Sequence, residues 1–448
     1  MNARSRHLVR GTALAGVLAL GLAACGSGED AGSGGSGDAA AVDTAAVLEK
    51  GGELTVWAWE PTLEQVVKDV EKKYPNVTID LQNVGTANDE YTALQNAIAA
   101  GDGVPDVAQI EYYAVPQFAI SEALTDLGPL GASGLEGTFT PGPWGSVHSG
   151  DGIYGMPMDS GPMALFYNKA VFDKYGVDVP TTWDEYLDAA RKIHQADPKA
   201  YIANDTGDAG FATSMIWQAG GHPYQVDGTD VSIDFAGDEG TAKFTKVWQQ
   251  LIDGDLLAPV SSWSDEWYQG LGNGTIASLT IGAWMPANLE SGVPKGSGKW
   301  RVAEMPQWEA GAHATSENGG SSLTVPAASE SSDLAYAFLD YATNGDGVQT
   351  RIDGGAFPAT TADLESEEFR GTESEYFGGQ KINDVLADSA ENVVEGWQYL
   401  PFQVYANSIF NDSVGQAYVS GTTLTDGLAT WQEQSATYGN SQGFTVNK

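Results

Sequence analysis

Apolar and polar positions along the chain switch repeatedly between two periods. "GELTVWAW" (52–59) reads as a buried strand. Leu63, Val66, Val67 and Val70 then follow at helical spacing. "VTIDLQNV" (77–84) alternates apolar with polar, the period of a strand with one buried face. Tyr91, Leu94 and Ile98 fit a second helix, "PDVAQI" (105–110) a short strand, and "PQFAISEALTDL" another helix. Thr182 followed three residues later by Glu185 makes a capping box, which opens a helix with Tyr186, Leu187, Ala190 and Ile193 on one face. Phe244, Val247, Trp248 and Leu251 mark a later helix. "SSLTVP" (321–326) is strand-like, Leu334, Ala337, Phe338 and Tyr341 are helical, and a last helix carries Leu424, Leu428 and Trp431. Strands alternating with helices predict α/β layering. No internal repeat is visible.

The N-terminal pattern is different. Arg4, Arg6, His7 and Arg10 precede a short apolar run, "TALAGVLALGLAA" (12–24), the layout of an export signal. A membrane span needs about 20 apolar residues, so the run is too short to cross. Cys25, the sole cysteine, follows Leu22, Ala23 and Ala24, and "LAAC" resembles the lipobox of bacterial lipoproteins. That resemblance implies that residues 1–24 are a removed signal peptide and that Cys25 becomes a lipidated N-terminus. Two acyl chains suffice for stable anchoring, where one is marginal. Residues 25–50 are rich in Gly, Ser, Ala and Asp and read as a flexible linker to a body that works close to the membrane. With Cys25 lipidated, no thiol remains for a disulfide, a Cys-zinc site or a nucleophile.

The remainder, 51–448, is long enough for two domains of ordinary size. Hydrophobic residues make up 42% of the chain and aromatics 10%, so it can bury cores. The formal net charge is −39, which argues against nucleic acid as a partner, because phosphates need a basic patch. Acidity of this kind suits a solvated surface. No calcium-loop spacing and no HExxH is present, and the histidines (7, 148, 194, 222, 313) are scattered, so no metal and no cofactor is expected. Beyond residue 25 the arginines are Arg191, Arg301, Arg351 and Arg370. Anionic solutes are usually held by arginine forks. Against these four stand 13 Trp and 18 Tyr, which suit a neutral ligand with flat apolar faces.

Several stretches together carry a resemblance: "LTVWAWE", "GDGVPDVAQIE", "YGMPMDSGPMALFYNKAVFDKYGVDVPTTWDEYLDAARKI", "IGAWMP" and "GGSSLTVP". The "YNKxxFxxxGxxxPxTWxE" pattern (167–185) is the most specific of them. Over nearly all of 51–448 the chain resembles the extracellular sugar-binding lipoproteins of bacterial ABC importers, the family 1 group that includes maltose-binding protein. The resemblance implies an α/β, two-lobe periplasmic-binding-protein-like (type II) fold with a hinge and an interlobe cleft. Lobe one would be 51–158 plus 308–358, and lobe two 162–305 plus 362–448. Solute would close the cleft by a hinge motion, and the closed monomer would present both lobes to the permease subunits of an ABC transporter.

Sugars stack their C–H faces on aromatic rings and pair their hydroxyls with donors and acceptors. Trp284 in "IGAWMP" matches a cleft tryptophan of the family. Trp59 and Glu60 end the first strand, and Glu111 and Tyr112 follow "PDVAQI"; α/β ligand sites lie beyond carboxyl ends of strands. Asn88 opens a helix and either caps it or faces solute. Asp159 sits at the hinge crossing implied by the resemblance, and Asp208 and Phe211 align with a family ligand loop. Gly320 and Ser321 would bring a close backbone and a hydroxyl to the sugar, or form a tight turn. Phe357 follows a Gly-Gly pair, and Gln398 and Tyr399 in "EGWQYLP" are further polar contacts. Trp263 and Trp267 supply an outer subsite or pack a helix. Two other functions fit parts of this picture: a secreted glycoside hydrolase, and a binding protein for a polyamine or other non-sugar solute. No hydrolase motif stands out, although the acidic residues are numerous enough to hold a catalytic pair. Polyamine sites are acidic and aromatic, so that reading competes.

Overall fold

The computed structural model describes residues 41–448. The expectations placed on residues 1–40, among them the signal peptide and the lipidated Cys25, lie outside the described residues. The periodic segments form as their patterns dictate. Leu63, Val66, Val67 and Val70 are buried along the helix Leu63–Lys73, and Phe244, Val247, Trp248 and Leu251 along Glu239–Asp253. The capping box is present: the Thr182 side chain accepts from Glu185 N, Glu185 Oε2 accepts from Thr181 and Thr182 N, and the helix Trp183–Ala196 buries the predicted face. "PQFAISEALTDL" gives a shorter helix, Val115–Ile120. It stops because Glu122 takes a positive φ of 55° and Thr125 pairs its N–H with Val325 O.

Two bodies result. In the first, a five-stranded sheet runs Val77–Gln82, Gly52–Trp57, Val107–Glu111, Ser321–Thr324, Met156–Pro157. The Gly52–Trp57 strand is parallel to both its neighbours, and Ser321–Thr324 is antiparallel to both of its own. The second body is built on an antiparallel sheet with Met163–Asn168 between Ser278–Gly282 and Trp300–Ala303. Its largest buried cluster joins Trp183, Tyr186, Phe244, Trp248 and Trp431. Burying aromatics of this size dominates core energetics.

The linker expected to reach residue 50 ends earlier. Thr44–Lys50 is a helix, capped by Asp43, whose side chain accepts from Ala46 N at 3.0 Å. Leu48 is buried in the first body's core, and Thr44 Oγ1 donates to Asp340 at 3.0 Å on the helix Ser332–Thr343. Leu48 in that core, with Val42 and Val47 packed against it, is enough to order a short capped helix that composition reads as tether. The lobe boundaries shift as well. Trp308 packs on Trp183, and Ser316 Oγ donates to Ser214 O at 2.7 Å, so the chain reaches the first body only after Glu317.

Three stretches connect the bodies, and they bond to one another. Asp159 bridges Pro358, and Pro162 bridges Glu317. Ser160 N donates to Phe357 O at 3.3 Å, and Ser321 N donates to Asp159 Oδ1 at 2.7 Å. Such a short ribbon of crossings between two separately cored bodies is a hinge.

Candidate functional site

A cavity of about 610 Å³ lies between the bodies. Its first-body wall comes from strand ends. Glu111 is the last residue of Val107–Glu111, at the carboxyl edge where α/β sheets expose ligand sites. Tyr91 Oη donates to Glu111 Oε2 at 3.0 Å and accepts from Glu111 N at 2.9 Å. Burial pushes the Glu111 carboxyl up to about 7, against the hydrogen bonds from Tyr113 and Tyr91. Thr86, Tyr113 and Gly320 also line this side.

The second-body wall is aromatic, with amides and carboxylates between the rings. Trp284 lies between the strand Ser278–Gly282 and the helix Met285–Gly292, and its indole N–H donates to Asn318 O at 2.7 Å. Trp263 leans on it, with ring centroids 5.7 Å apart, and Trp267 donates to Asn204 Oδ1 at 2.7 Å. Phe211 packs on Trp248 at 4.9 Å. Asp208 caps the helix Ala209–Gln218, accepting from Phe211 N at 2.7 Å. Asp205 accepts from Trp248 Nε1 (2.7 Å), Tyr418 Oη (2.6 Å) and Gly207 N (2.8 Å), and burial raises it to about 6. Tyr399 contacts the first body's core although its chain neighbours belong to the second, so it spans the cavity. Among the described residues lining the cavity, none is Lys, Arg or His. Carboxylates without cations disfavour an acidic ligand, while aromatic faces beside amides and carboxylates suit a neutral polyhydroxyl one.

Of the residues expected from the sequence, Glu111, Asp208, Phe211, Trp284, Gly320 and Tyr399 line this cavity. The others do not. Trp59 packs on Tyr91 with centroids 6.3 Å apart. Asn88 is the first residue of the helix Asn88–Ala100, where its carbonyl accepts from Thr92. Tyr112 is buried and donates to Asp159 O at 2.6 Å. Gln109 accepts from the backbone N–H groups of Trp59 and Glu60, and donates to Ser321 Oγ at 3.1 Å. Asp159 takes the N–H of Ser321, and the Glu60 carboxylate faces Arg351 at 3.8 Å. Tyr112, Asp159 and Ser321 therefore belong to the hinge region, with Glu60 beside its Arg351; Tyr112 and Ser321 are buried there and Glu60 and Asp159 half-buried. Phe357 is buried against Phe369, at 5.6 Å, and lines a different depression. Gln398 is exposed and pairs with both N and O of Val226.

The glycine pair serves the turn. Gly320 has φ +96°, and a Cβ there would stand 2.6 Å from the Tyr112 ring. The close approach is thus to protein, and what Gly320 offers the cavity is bare backbone. Sequence reasoning missed Tyr113, Asn204 and Asp205. The signals were present: Tyr113 adjoins the residue chosen instead, and Asp205 stands three residues before Asp208 in "DTGDAGF".

Comparison with known proteins agrees with this geometry. The family described as bacterial extracellular solute-binding protein matches residues 57–349. A solved ABC transporter associated binding protein from B. animalis subsp. lactis Bl-04, in complex with beta-1,6-galactobiose, superposes with a TM-score of 0.80. It is 48% identical, over 88% of this chain and 99% of that one. The galacto-N-biose-/lacto-N-biose I-binding protein of Bifidobacterium longum, solved with lacto-N-biose, is 26% identical with a TM-score of 0.77, over 89% and 99% of the two chains. A lactose-binding protein of Rhizobium radiobacter is 26% identical over 407 residues, 86% of this chain and 92% of that one. With two bodies about a three-stranded hinge, an aromatic cavity between them and a family match over most of the folded region, the chain belongs to the bacterial extracellular solute-binding proteins.

Proposed function

We propose that this protein captures a neutral di- or oligosaccharide outside the cell and delivers it to the permease subunits of an ABC transporter, without turning it over. The observation that carries the reading is the cavity itself: tryptophan faces beside Asp208, Glu111 and Asn204, with no cationic side chain in the lining. The relatives solved with beta-1,6-galactobiose and lacto-N-biose support a galactose-containing disaccharide as the ligand. Binding draws the bodies together about the hinge, because contacts from both walls form only when the sugar is between them.

Calorimetry with beta-1,6-galactobiose, lactose, lacto-N-biose and spermidine tests this, with each sugar recovered afterwards and checked for cleavage. The expected outcome is saturable heat with at least one disaccharide, intact sugar, and a smaller radius of gyration by small-angle scattering at saturation. Heat with spermidine alone, or cleaved sugar, overturns it. An unchanged radius sinks the closure.

The protein acts as a monomer held at the membrane by lipid on Cys25. Cys25→Ser is expected to leave the protein in the soluble fraction with its sugar affinity unchanged. If the variant still pellets with membranes through carbonate washing, the anchor is elsewhere.

A further inference from the structure

Trp263 differs from the other cavity tryptophans. It is 49% exposed, whereas Trp267 is buried and Trp284 half-buried. Its backbone lies in the left-handed region, at φ +69°. A bulky residue there is an outlier, and such outliers persist where the surroundings over-determine them. The loop does so from both ends. Asn204 Nδ2 donates to Val260 O at 3.2 Å and to Ser262 Oγ at 3.0 Å. Ser264 Oγ donates to Ser261 O at 2.8 Å and accepts from Trp267 N at 3.2 Å. Asn204 also takes the Trp267 indole N–H, so one side chain fixes the strained loop and the tryptophan beneath it.

The strain aims the ring. The Trp263 centroid is 5.0 Å from Trp267 and 5.7 Å from Trp284, inclined 30° to the latter. These are contact distances between aromatic rings, so no sugar ring fits between Trp263 and Trp284. The two indoles instead make one stepped apolar surface. Trp284 is its inner part, with its N–H used on Asn318 O. Trp263 is its outer part, and among the described residues none accepts from its indole N–H, which leaves that donor for a ligand hydroxyl or water.

We propose that Trp263 is the residue that selects ligand length. Trp284 carries the inner ring of the saccharide and Trp263 carries the second ring, so a disaccharide gains an aromatic contact that a monosaccharide does not reach. This rests on the carbohydrate reading above.

The test is calorimetry of the protein and its Trp263→Ala, Trp263→Phe and Trp284→Ala variants with beta-1,6-galactobiose and with galactose, galactose being measured by displacement of the disaccharide. Truncating an aromatic anchor in a binding site commonly loses tenfold or more. Trp263→Ala is expected to weaken galactobiose by about tenfold or more and galactose by less than about threefold, while Trp284→Ala weakens both. Trp263→Phe is expected to recover most of the galactobiose affinity, which a merely structural role for the indole would not predict. Equal losses for the two sugars in Trp263→Ala, or galactobiose within about twofold of the parent, overturns the assignment while leaving the carbohydrate reading intact. A parent protein that takes up no neutral disaccharide overturns both. Trp263→Gly gives a second check: glycine adopts the left-handed backbone freely, so this variant is expected to melt no lower than Trp263→Ala. A lower melt shows that the loop is not held under strain and removes that support.

Discussion

Trp284→Ala is expected to lose about thirtyfold or more in saccharide affinity, with a modest fall in melting temperature. The residue is half-buried, lines the cavity, and has its indole N–H engaged by Asn318 O. Anchors of this kind carry about 2 kcal/mol or more on truncation, and about 1.4 kcal/mol is tenfold. A tryptophan wholly in the core would instead lose about 3–5 kcal/mol of stability when cut to alanine. Melting without sugar and calorimetry with it separate the two roles. A collapsed melt, or affinity within about twofold of the parent, returns Trp284 to the core.

Stability is expected to fall as pH rises from about 5 to about 9. Glu90 is fully buried and both its carboxyl oxygens lack a partner; burial pushes it up to about 8. Glu317, in the hinge, is buried too and also raised to about 8, despite accepting from Gly161 N and Ser160 Oγ. Unfolded, both lose their protons near the ordinary value of 4.5. Between that pH and about 8 the folded chain therefore holds more protons than the unfolded one. Stability is full below the lower value and is lost as pH rises through the upper one. A tenfold difference in proton affinity corresponds to about 1.4 kcal/mol, so the pair can remove on the order of several kcal/mol. Glu111 at about 7 and Asp159 and Asp205 at about 6 act in the same direction. Self-repulsion in a chain of net charge −39 adds to it. Denaturant melts across this range check the slope, and Glu90→Gln, which removes the ionisation at nearly constant shape, should flatten it. A flat profile in the parent means these carboxyls are hydrated and ionised in the folded state.

The two predictions use different parts of the same architecture. The aromatic wall acts on the ligand directly. Glu90 sits inside the first body, on the helix Asn88–Ala100, and Glu317 in the hinge, where Asp159, Glu317 and Arg351 meet the crossings between bodies. A substitution at Glu90 or Glu317, neither of which lines the cavity, changes stability before it changes any contact with sugar, so affinity alone does not separate it from a change in the aromatic wall, whereas the pH profile does.

What was legible in the sequence follows from local physics. Periodicity placed the strand at Gly52–Trp57 and the helices at Leu63–Lys73 and Glu239–Asp253, because which face a side chain presents is set by the element's own period. The capping box at Thr182 and Glu185 is local for the same reason. Composition pointed to a neutral ligand, and the cavity lining has no cation. What the tertiary structure alone decided is where each strand end points once its neighbours are in place. Tyr112 and Tyr113 are adjacent in the turn that follows the strand Val107–Glu111, and the packing around that turn sends Tyr112 to Asp159 and Tyr113 to the cavity. Asp205 and Asn204 join the site because the strand Leu257–Ala258 pairs with Ala203–Asn204, more than fifty residues away. Ser321, Glu60 and Asp159 leave it because distant segments take up their polar groups: Gln109 bonds Ser321 and the Glu60 backbone, Arg351 faces the Glu60 carboxylate, and Asp159 accepts from Ser321 N. Leu48 anchors a helix, Thr44–Lys50, in a stretch that composition reads as linker, because the helix Ser332–Thr343 supplies a surface for it. Residue chemistry and periodicity are local properties, whereas the meeting of distant segments at one cleft is not, and so composition and pattern set the kind of site while packing chose its members.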